Sequence, residues 1–590
     1  MVCALLAGLV SSAVPGTADA SCAPPPEVFP VDDLHPGMTA TGITVIQGTT
    51  PTPFDVTILG VSPNGIAPGV DFILAQITGP PSFLDLTGGI VAGMSGSPVS
   101  IGGKLVGSTS YGFPAADQTM MGITPAQPMV DLFGYPDAPP AAARATADAV
   151  AAARTVRLGP SLRQAAARAT GKATASSFPG VAHQLTTPLA VSGVDNRGLT
   201  RLQRFITNRL HLPVTVYGST ASGASSPSPA PLAAGDSLAA GISYGDITAG
   251  AVGTATVVCG DMVVGFGHPF LFDGAGHLGL NGADVLAVIK DPSTLFGGYK
   301  FATITGLHGT IDQDRLTGVR GTEGLIPHLA HVVSTVTNLD IAGRTHQGGS
   351  QIVSDPFTSI VTALTLLSEE DTTYDRIGGG STHVGWTIRG TDPDGNPFKL
   401  HRDNRYYSGG DATLESIFEL LGELDTLQFS RFGSIHLSSV RTNSEVTQRR
   451  LTTSIRRILV SSALNPGLQP RTHLQVRAGG TIHVQAQVMP AGATHLVKEN
   501  LSIQLPTNSA GRGQLFVGGG GGGFGSGLRA ESFGEILSRF RDAPHTYDVV
   551  AALTLVHRTA SGNQLIHRRA VRALNRVVLG GARIGVSVVP

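Results

Sequence analysis

Two short runs in this chain of 590 residues carry residue types suited to covalent chemistry: Gly93-Met94-Ser95-Gly96-Ser97-Pro98 and Gly267-His268-Pro269. A serine hydroxyl becomes a nucleophile when an imidazole takes its proton, and the imidazole can return that proton to a leaving amine. The glycines around the serine suit this task. Gly93 lets the backbone bend so that the amides of Gly93 and Ser95 can face one oxyanion. Gly96 leaves room for a substrate backbone to approach, and Pro98 sets the chain into an extended path. Ser95 is therefore the candidate nucleophile and His268 the candidate base. Ser97 is the alternative hydroxyl, but its place past the turn should aim it into the protein. The plainer alternatives are an ordinary Gly/Ser/Pro turn and a turn histidine bonded to backbone.

Strands must hold both turns. Residues 99–101 and 104–107 read as a hairpin about Gly102-Gly103, directly after the serine. Ile43 and Val45 share one strand face, and Phe54, Val56 and Ile58 share another. Further strands are expected over 71–79 and within 120–130, and short strands with glycine-rich turns argue for a small barrel. A second β block begins near Leu238, where 252–259 and 262–265 are strands joined by the glycine-first turn Gly260-Asp261. His268 then lies just past a strand end, at a barrel's rim, where function concentrates.

Beyond these blocks the pattern changes. Residues 136–175 are Ala/Arg-rich and 219–230 Ser/Pro/Gly-rich, which reads as a linker with a flexible loop and a short amphipathic helix over 199–210. Helical spacing recurs over 412–424 and 531–541. Residues 472–489 and 502–517 look like strands of a terminal sandwich. The glycine run 518–523 lacks the Gly-Lys-Ser/Thr of a phosphate loop and is read as a loop.

Two blocks carry a family resemblance. The first holds Phe54-Asp55-Val56, Ile73-Leu74-Ala75-Gln76-Ile77-Thr78, the run from Thr87 through Ser95 to Val99, and Gly103-Lys104-Leu105-Val106-Gly107. The second holds Ala249-Gly250-Ala251-Val252-Gly253-Thr254, Val264-Gly265-Phe266-Gly267-His268-Pro269-Phe270, and Gly309-Thr310-Ile311-Asp312-Gln313-Asp314-Arg315, closing with Gly318-Val319-Arg320-Gly321. They resemble the serine-bearing and histidine-bearing halves of the SpoIVB-type peptidases, sporulation signalling proteases and their wider bacterial relatives. The resemblance implies chymotrypsin-like barrel halves, Ser95 and His268 as catalytic pair, and Gly93 and Ser95 as oxyanion hole. It also implies a narrow protein substrate, either one partner or the chain itself. Here the serine block precedes the histidine block, no PDZ-like segment is evident, and the family's acidic position falls near Gly79 and Pro80. Each barrel can keep its own core in either order. For the orienting carboxylate Asp314 is the first candidate, because it belongs to the histidine block; an ion pair with Arg315 or a turn cap is its alternative. Asp246 and Asp261 are weaker candidates.

Composition bounds the rest. With 14% charged residues, 77 glycines and 38 prolines, the chain reads as turn-rich and β-dominated. A formal net charge of −1 offers no field for nucleic acid. No later run reaches the ~18 apolar residues that span a bilayer, and a cell-envelope association is left open. Residues 2–14 are apolar and Ala18-Asp19-Ala20 fits a cleavage site, so a signal peptide cut after Ala20 and a secreted, extracytoplasmic protein are expected. That leaves Cys22 and Cys259, which can pair in an oxidising compartment if they meet. His268, His277 and His308 match no ligand pattern, so neither metal nor cofactor is expected. The expected organisation is a signal peptide (1–20), a serine-bearing barrel half (21–135), the linker (136–236), a histidine-bearing barrel half (237–345), a mixed α+β module (346–470) and a sandwich-like module (471–590). The function expected is a SpoIVB-like serine endopeptidase, with a catalytically inactive extracellular scaffold as the alternative.

Overall fold

The computed structural model describes residues 22, 25–114, 117–136, 154–172, 174–220, 224–228, 230–353, 355–521, 530–559 and 562–590. The apolar N-terminal run and its cleavage site lie outside them. So do Gly522 and Gly523 of the glycine run.

Six strands close the first barrel: β1 (Thr39–Thr44), β2 (Thr52–Ala67), β3 (Val70–Gly79), β4 (Pro98–Ile101), β5 (Lys104–Gly112) and β6 (Met120–Pro125). The antiparallel ring runs β1-β2-β3-β6-β5-β4, and β4 pairs back to β1. Alternation explains its interior: Phe54, Val56 and Ile58 point inward with Ile73, Ala75, Ile77, Val99, Met121 and Ile123. Gly102 and Gly103 both take positive φ (58° and 84°), the backbone of a two-residue hairpin turn whose twist matches its strands.

The region expected as linker is, where described, folded onto the barrels. Strands β7 (Thr155–Arg157) and β8 (Val181–Gln184) extend the first sheet from β5. The helix Pro160–Ala169 covers it with Leu162 and Ala166. Strands β9 (Thr187–Ser192) and β10 (Val214–Gly218) join the second sheet, with the expected amphipathic helix between them at Asn196–Phe205. The loop that follows is not free throughout: Ala224 is buried and its carbonyl accepts from Asn281.

The second barrel is also a closed antiparallel ring of six: β11 (Ser237–Gly245), β12 (Thr248–Cys259), β13 (Met262–Gly265), β14 (Gly274–Lys290), β15 (Gly298–Arg315) and β16 (Gly318–Glu323), with β11 pairing back to β12. Its sheet continues from β11 through β18 (Thr345–Ile352), β17 (Ala330–Asn338), β21 (His436–Thr447), β19 (Gly380–Thr391) and β20 (Pro397–Ser408). Helices Thr358–Tyr374 and Ala412–Gln428 pack on that extension. The mixed module thus starts with β17, ahead of residue 346, because β17 and β18 are hairpin partners.

A four-stranded and a five-stranded sheet face each other at the C-terminus across Leu474, Val484, Leu515, Leu553 and Val586. The sandwich begins at the strand Thr452–Ser461, earlier than residue 471, since that strand pairs with Thr481–Pro490. The protein is mainly β, with two barrels in serine-then-histidine order followed by β-rich modules. A disulfide joins Cys22 to Cys259, tying the chain ahead of the first barrel to the end of β12. Among the described residues no helix is long and apolar enough to cross a membrane.

Candidate active site

The serine turn is built from its own peptides. Gly93 and Gly96 sit at φ +93° and +94°, where a side chain would be strained. The Val91 carbonyl accepts from Met94 N (3.1 Å), and the Met94 carbonyl accepts from Ser97 N (2.9 Å) and Ser97 Oγ (2.6 Å). The Ala92 carbonyl accepts from Lys300 N at 2.9 Å. In a trans peptide the N–H points away from the C=O of the same unit. Pinning the Ala92 and Met94 carbonyls therefore orients the N–H groups of Gly93 and Ser95. Neither N–H has a hydrogen-bond partner among the described residues. They are the two donors expected for the oxyanion. The Ser97 hydroxyl is committed to Met94, leaving Ser95 Oγ as the hydroxyl of the turn that is buried without a partner.

The histidine turn follows β13. Phe266 and Gly267 both take positive φ (66° and 67°). Phe266 can afford this rare conformation because its ring lies over Gly253, where a Cβ would come within 2.1 Å of it. The Gly267 carbonyl accepts from Thr124 Oγ1 (2.7 Å), and the Pro269 carbonyl from Gln184 Nε2 (2.9 Å). His268 Nδ1 stands 2.9 Å from the Pro269 carbonyl. A carbonyl only accepts, so Nδ1 carries the proton and Nε2 presents a lone pair. That nitrogen is buried and unpaired. Burial, and secondarily the positive charge of Arg154, pull the imidazole down from 6.5 to about 4, against the Pro269 hydrogen bond. His268 is thus neutral at neutral pH, as a proton acceptor must be.

The two turns meet where the barrels touch. A Cβ on Gly96 would fall 2.0 Å from the Thr254 carbonyl and 2.5 Å from Phe266 N. One on Gly267 would meet Ser108 Oγ and Ser110 Oγ at 2.1 Å. Gly96 therefore serves the close approach of the second barrel rather than of a substrate backbone. Thr254 N donates to the Ser95 carbonyl (2.9 Å) and Thr256 Oγ1 to that of Gly96 (2.7 Å). Ser95 and His268 have no exposed surface, and no hydrogen bond joins them.

Asp314 belongs to the histidine turn but does not touch the imidazole. Its carboxylate accepts from the amides of Phe270 (2.9 Å), Leu271 (2.5 Å) and Phe272 (2.9 Å), clasping the chain just after His268-Pro269. Burial pushes this carboxyl up to about 7, against those three donors. Asp314 is thus a turn clasp, close to the cap weighed from the sequence. The imidazole Nδ1–H bonds the Pro269 carbonyl and no carboxylate, a partner that no side-chain pattern could announce. Asp246 bonds Gly349 N, and Asp261 sits in the β12–β13 turn with its carbonyl on Glu323 N; neither bonds His268. Sequence reading also missed Gln184 and Thr124, whose bonds to the turn span 85 and 143 residues.

Beside the histidine turn lies a cavity of about 790 Å³. Leu271, Leu278, Ile311 and Phe429 give it apolar walls, His277 and His436 add polar groups, and Asp314 links it to the turn. Among the described residues no group of His, Cys, Asp and Glu is arranged to hold a metal ion.

Residues 20–126 match the family model for the SpoIVB peptidase S55. The match runs through the serine-bearing barrel to the end of β6; the histidine-bearing barrel lies outside it. No curated protein and no solved structure matches the chain.

Proposed function

We propose that this protein is a SpoIVB-like serine endopeptidase acting on a specific partner protein or on itself, outside the cytoplasm. In this reading Ser95 Oγ attacks the scissile carbonyl carbon and His268 Nε2 takes its proton. The tetrahedral oxyanion is held by the N–H groups of Gly93 and Ser95, a contribution of ~3 kcal/mol per donor. Collapse expels the amine, which takes the proton back from His268, and water then hydrolyses the acyl-enzyme through the same base. Asp314 and Gln184 position the imidazole turn, and the neighbouring cavity takes an apolar substrate side chain.

The observation that carries this reading is the coincidence of orphaned groups: Ser95 Oγ, His268 Nε2 and the two amides are all unpartnered in one inter-barrel contact. Buried polar groups are normally paired, and exceptions gather where chemistry needs them. The S55 match over the serine-bearing barrel supports the reaction class, and the Cys22–Cys259 pairing supports an oxidising compartment.

One observation favours a catalytically silent scaffold instead. Ser95 and His268 are fully covered, so a substrate reaches them only if what covers them moves. A serine-directed fluorophosphonate separates the two readings. The peptidase should be labelled, and labelling should vanish in Ser95→Ala and fall sharply in His268→Ala. Labelling that survives Ser95→Ala would reject the nucleophile, and an unlabelled wild type would favour the scaffold.

A further inference from the structure

A fully buried cation lies under the serine turn with no role in the chemistry above. Lys300 on β15 has no exposed surface, and among the described residues no carboxylate pairs with it. Its ammonium spends its three donors on hydroxyls: Thr44 Oγ1 at 2.9 Å, Thr254 Oγ1 at 3.1 Å and Ser237 Oγ at 3.3 Å. An uncompensated buried charge is expensive, and a hydrophobic residue of similar volume is the usual stabler choice. Stability alone does not account for it.

Its connections lead to the oxyanion donors. The backbone N–H of Lys300 holds the Ala92 carbonyl, the far end of the peptide whose N–H is that of Gly93. Its side-chain stem lies against Gly93, 3.1 Å from where a Cβ would stand. Thr254 Oγ1, which accepts from the ammonium, donates in turn to the Gly93 carbonyl at 3.1 Å, and Thr254 N holds the Ser95 carbonyl. Lys300 thus fixes the Ala92–Gly93 peptide that carries one oxyanion donor, and Thr254 fixes the Gly93–Met94 and Ser95–Gly96 peptides, while the Met94–Ser95 peptide that carries the other donor is held by Ser97. Ser95 Oγ has no partner, so Lys300 is not the base in this geometry.

We infer that Lys300, acting through Thr254 and the Gly93 peptide, is a positioning residue that supplies buried positive charge to the oxyanion site. The inference rests on the peptidase reading. A cation placed near developing negative charge in a water-excluded site acts more strongly there than in water and needs no reorganisation. Burial also pulls the ammonium down to about 7, so its charge is present below neutrality and lost above it. The groups facing it from β1, β11 and β12 are hydroxyls that do not titrate in this range; Asp314 on the histidine turn also titrates at about 7, so the share of Lys300 is read as the difference between the profiles of wild type and Lys300→Met.

The test is the rate of fluorophosphonate labelling at Ser95, followed from about pH 5 to about pH 9, in wild type, Lys300→Met and Thr254→Val, with thermal unfolding measured for each. Wild type should label more slowly as pH rises through about 7. Lys300→Met should label about ten-fold more slowly below neutrality, keep only the pH dependence that Asp314 contributes, and unfold at an equal or higher temperature. Thr254→Val keeps the charge but cuts its link to Gly93, so it should slow labelling while keeping the pH dependence. It carries the test if Lys300→Met does not fold. Wild-type rate and profile in both variants would overturn the role of Lys300 and leave the peptidase standing. A wild type never labelled at Ser95 would overturn the peptidase reading, and this inference with it.

Discussion

The turn that carries Ser95 and the turn that carries His268 differ in how much of their support is local. Around Ser95 the decisive bonds include short-range ones, Val91 to Met94 and Met94 to Ser97, with glycines at the two positive-φ positions, beside bonds that Lys300, Thr254 and Thr256 bring from the second barrel. Around His268 they come from afar: Thr124 and Gln184 from the first sheet, and Asp314 from β15. The bend at Ser95 can therefore be encoded in six residues. The His268 turn is held only when two sheets have closed around it.

That contrast can be broken experimentally, starting with the contact itself. Gly96→Ala puts a methyl into the Thr254 carbonyl at a positive φ and should cost about 4 kcal/mol or more, abolishing labelling. A thermal unfolding curve near that of wild type would show that the barrels do not need this approach. Asp314→Ala strands three amides after His268, that of Phe270 buried and those of Leu271 and Phe272 partly so, and should cost about 3 kcal/mol, read as a lowered denaturant midpoint.

Proton linkage distinguishes the two groups of the histidine turn. His268 falls from 6.5 to about 4 in the folded protein, so unfolding takes up a proton in that window. Its contribution is full above about 6.5 and is lost as pH falls toward about 4, worth about 3 kcal/mol. Asp314 rises from 3.8 to about 7, so its contribution is full below about 3.8 and is lost as pH climbs to about 7. The slopes oppose each other. Against the background of Glu370 and Glu423, raised to about 8 and common to both variants, the stability of His268→Gln should fall relative to that of Asp314→Asn as pH rises from about 4 to about 6.5; identical pH profiles in both variants would refute the assignment. The smallest effect is expected at the local turn. Ser97→Ala removes one hydroxyl bond to Met94, costs about 1 kcal/mol, and should leave labelling at Ser95 intact.

Much of the local architecture was legible in the residues. Alternation at Phe54, Val56 and Ile58 placed a strand face, Gly102-Gly103 a hairpin, and Gly260-Asp261 the turn ahead of the histidine. A helix expected over 199–210, found from Asn196, and the sandwich strands within 472–489 and 502–517 also followed from pattern. Asp314 was visible as a candidate, but its three amide partners were not, because they lie 42 to 44 residues away. Lys300 gave a weak signal: on an alternating strand it shares the inward side with Gly298 and Ala302, a place where lysine is out of character. Gly96 was legible as a position intolerant of a side chain, though not as the seat of the opposite barrel.

The amino-acid order alone determined where the chain bends, which faces are apolar and which residue types could react, since these depend on φ preferences and periodicity within a few residues. Only the tertiary structure decided that the turns of Ser95 and His268 meet at one contact, that Cys22 bonds Cys259, and that a backbone carbonyl accepts from the imidazole. Those outcomes require segments far apart in the chain to pack together, and packing is settled by the closing of both barrels rather than by any one stretch of sequence.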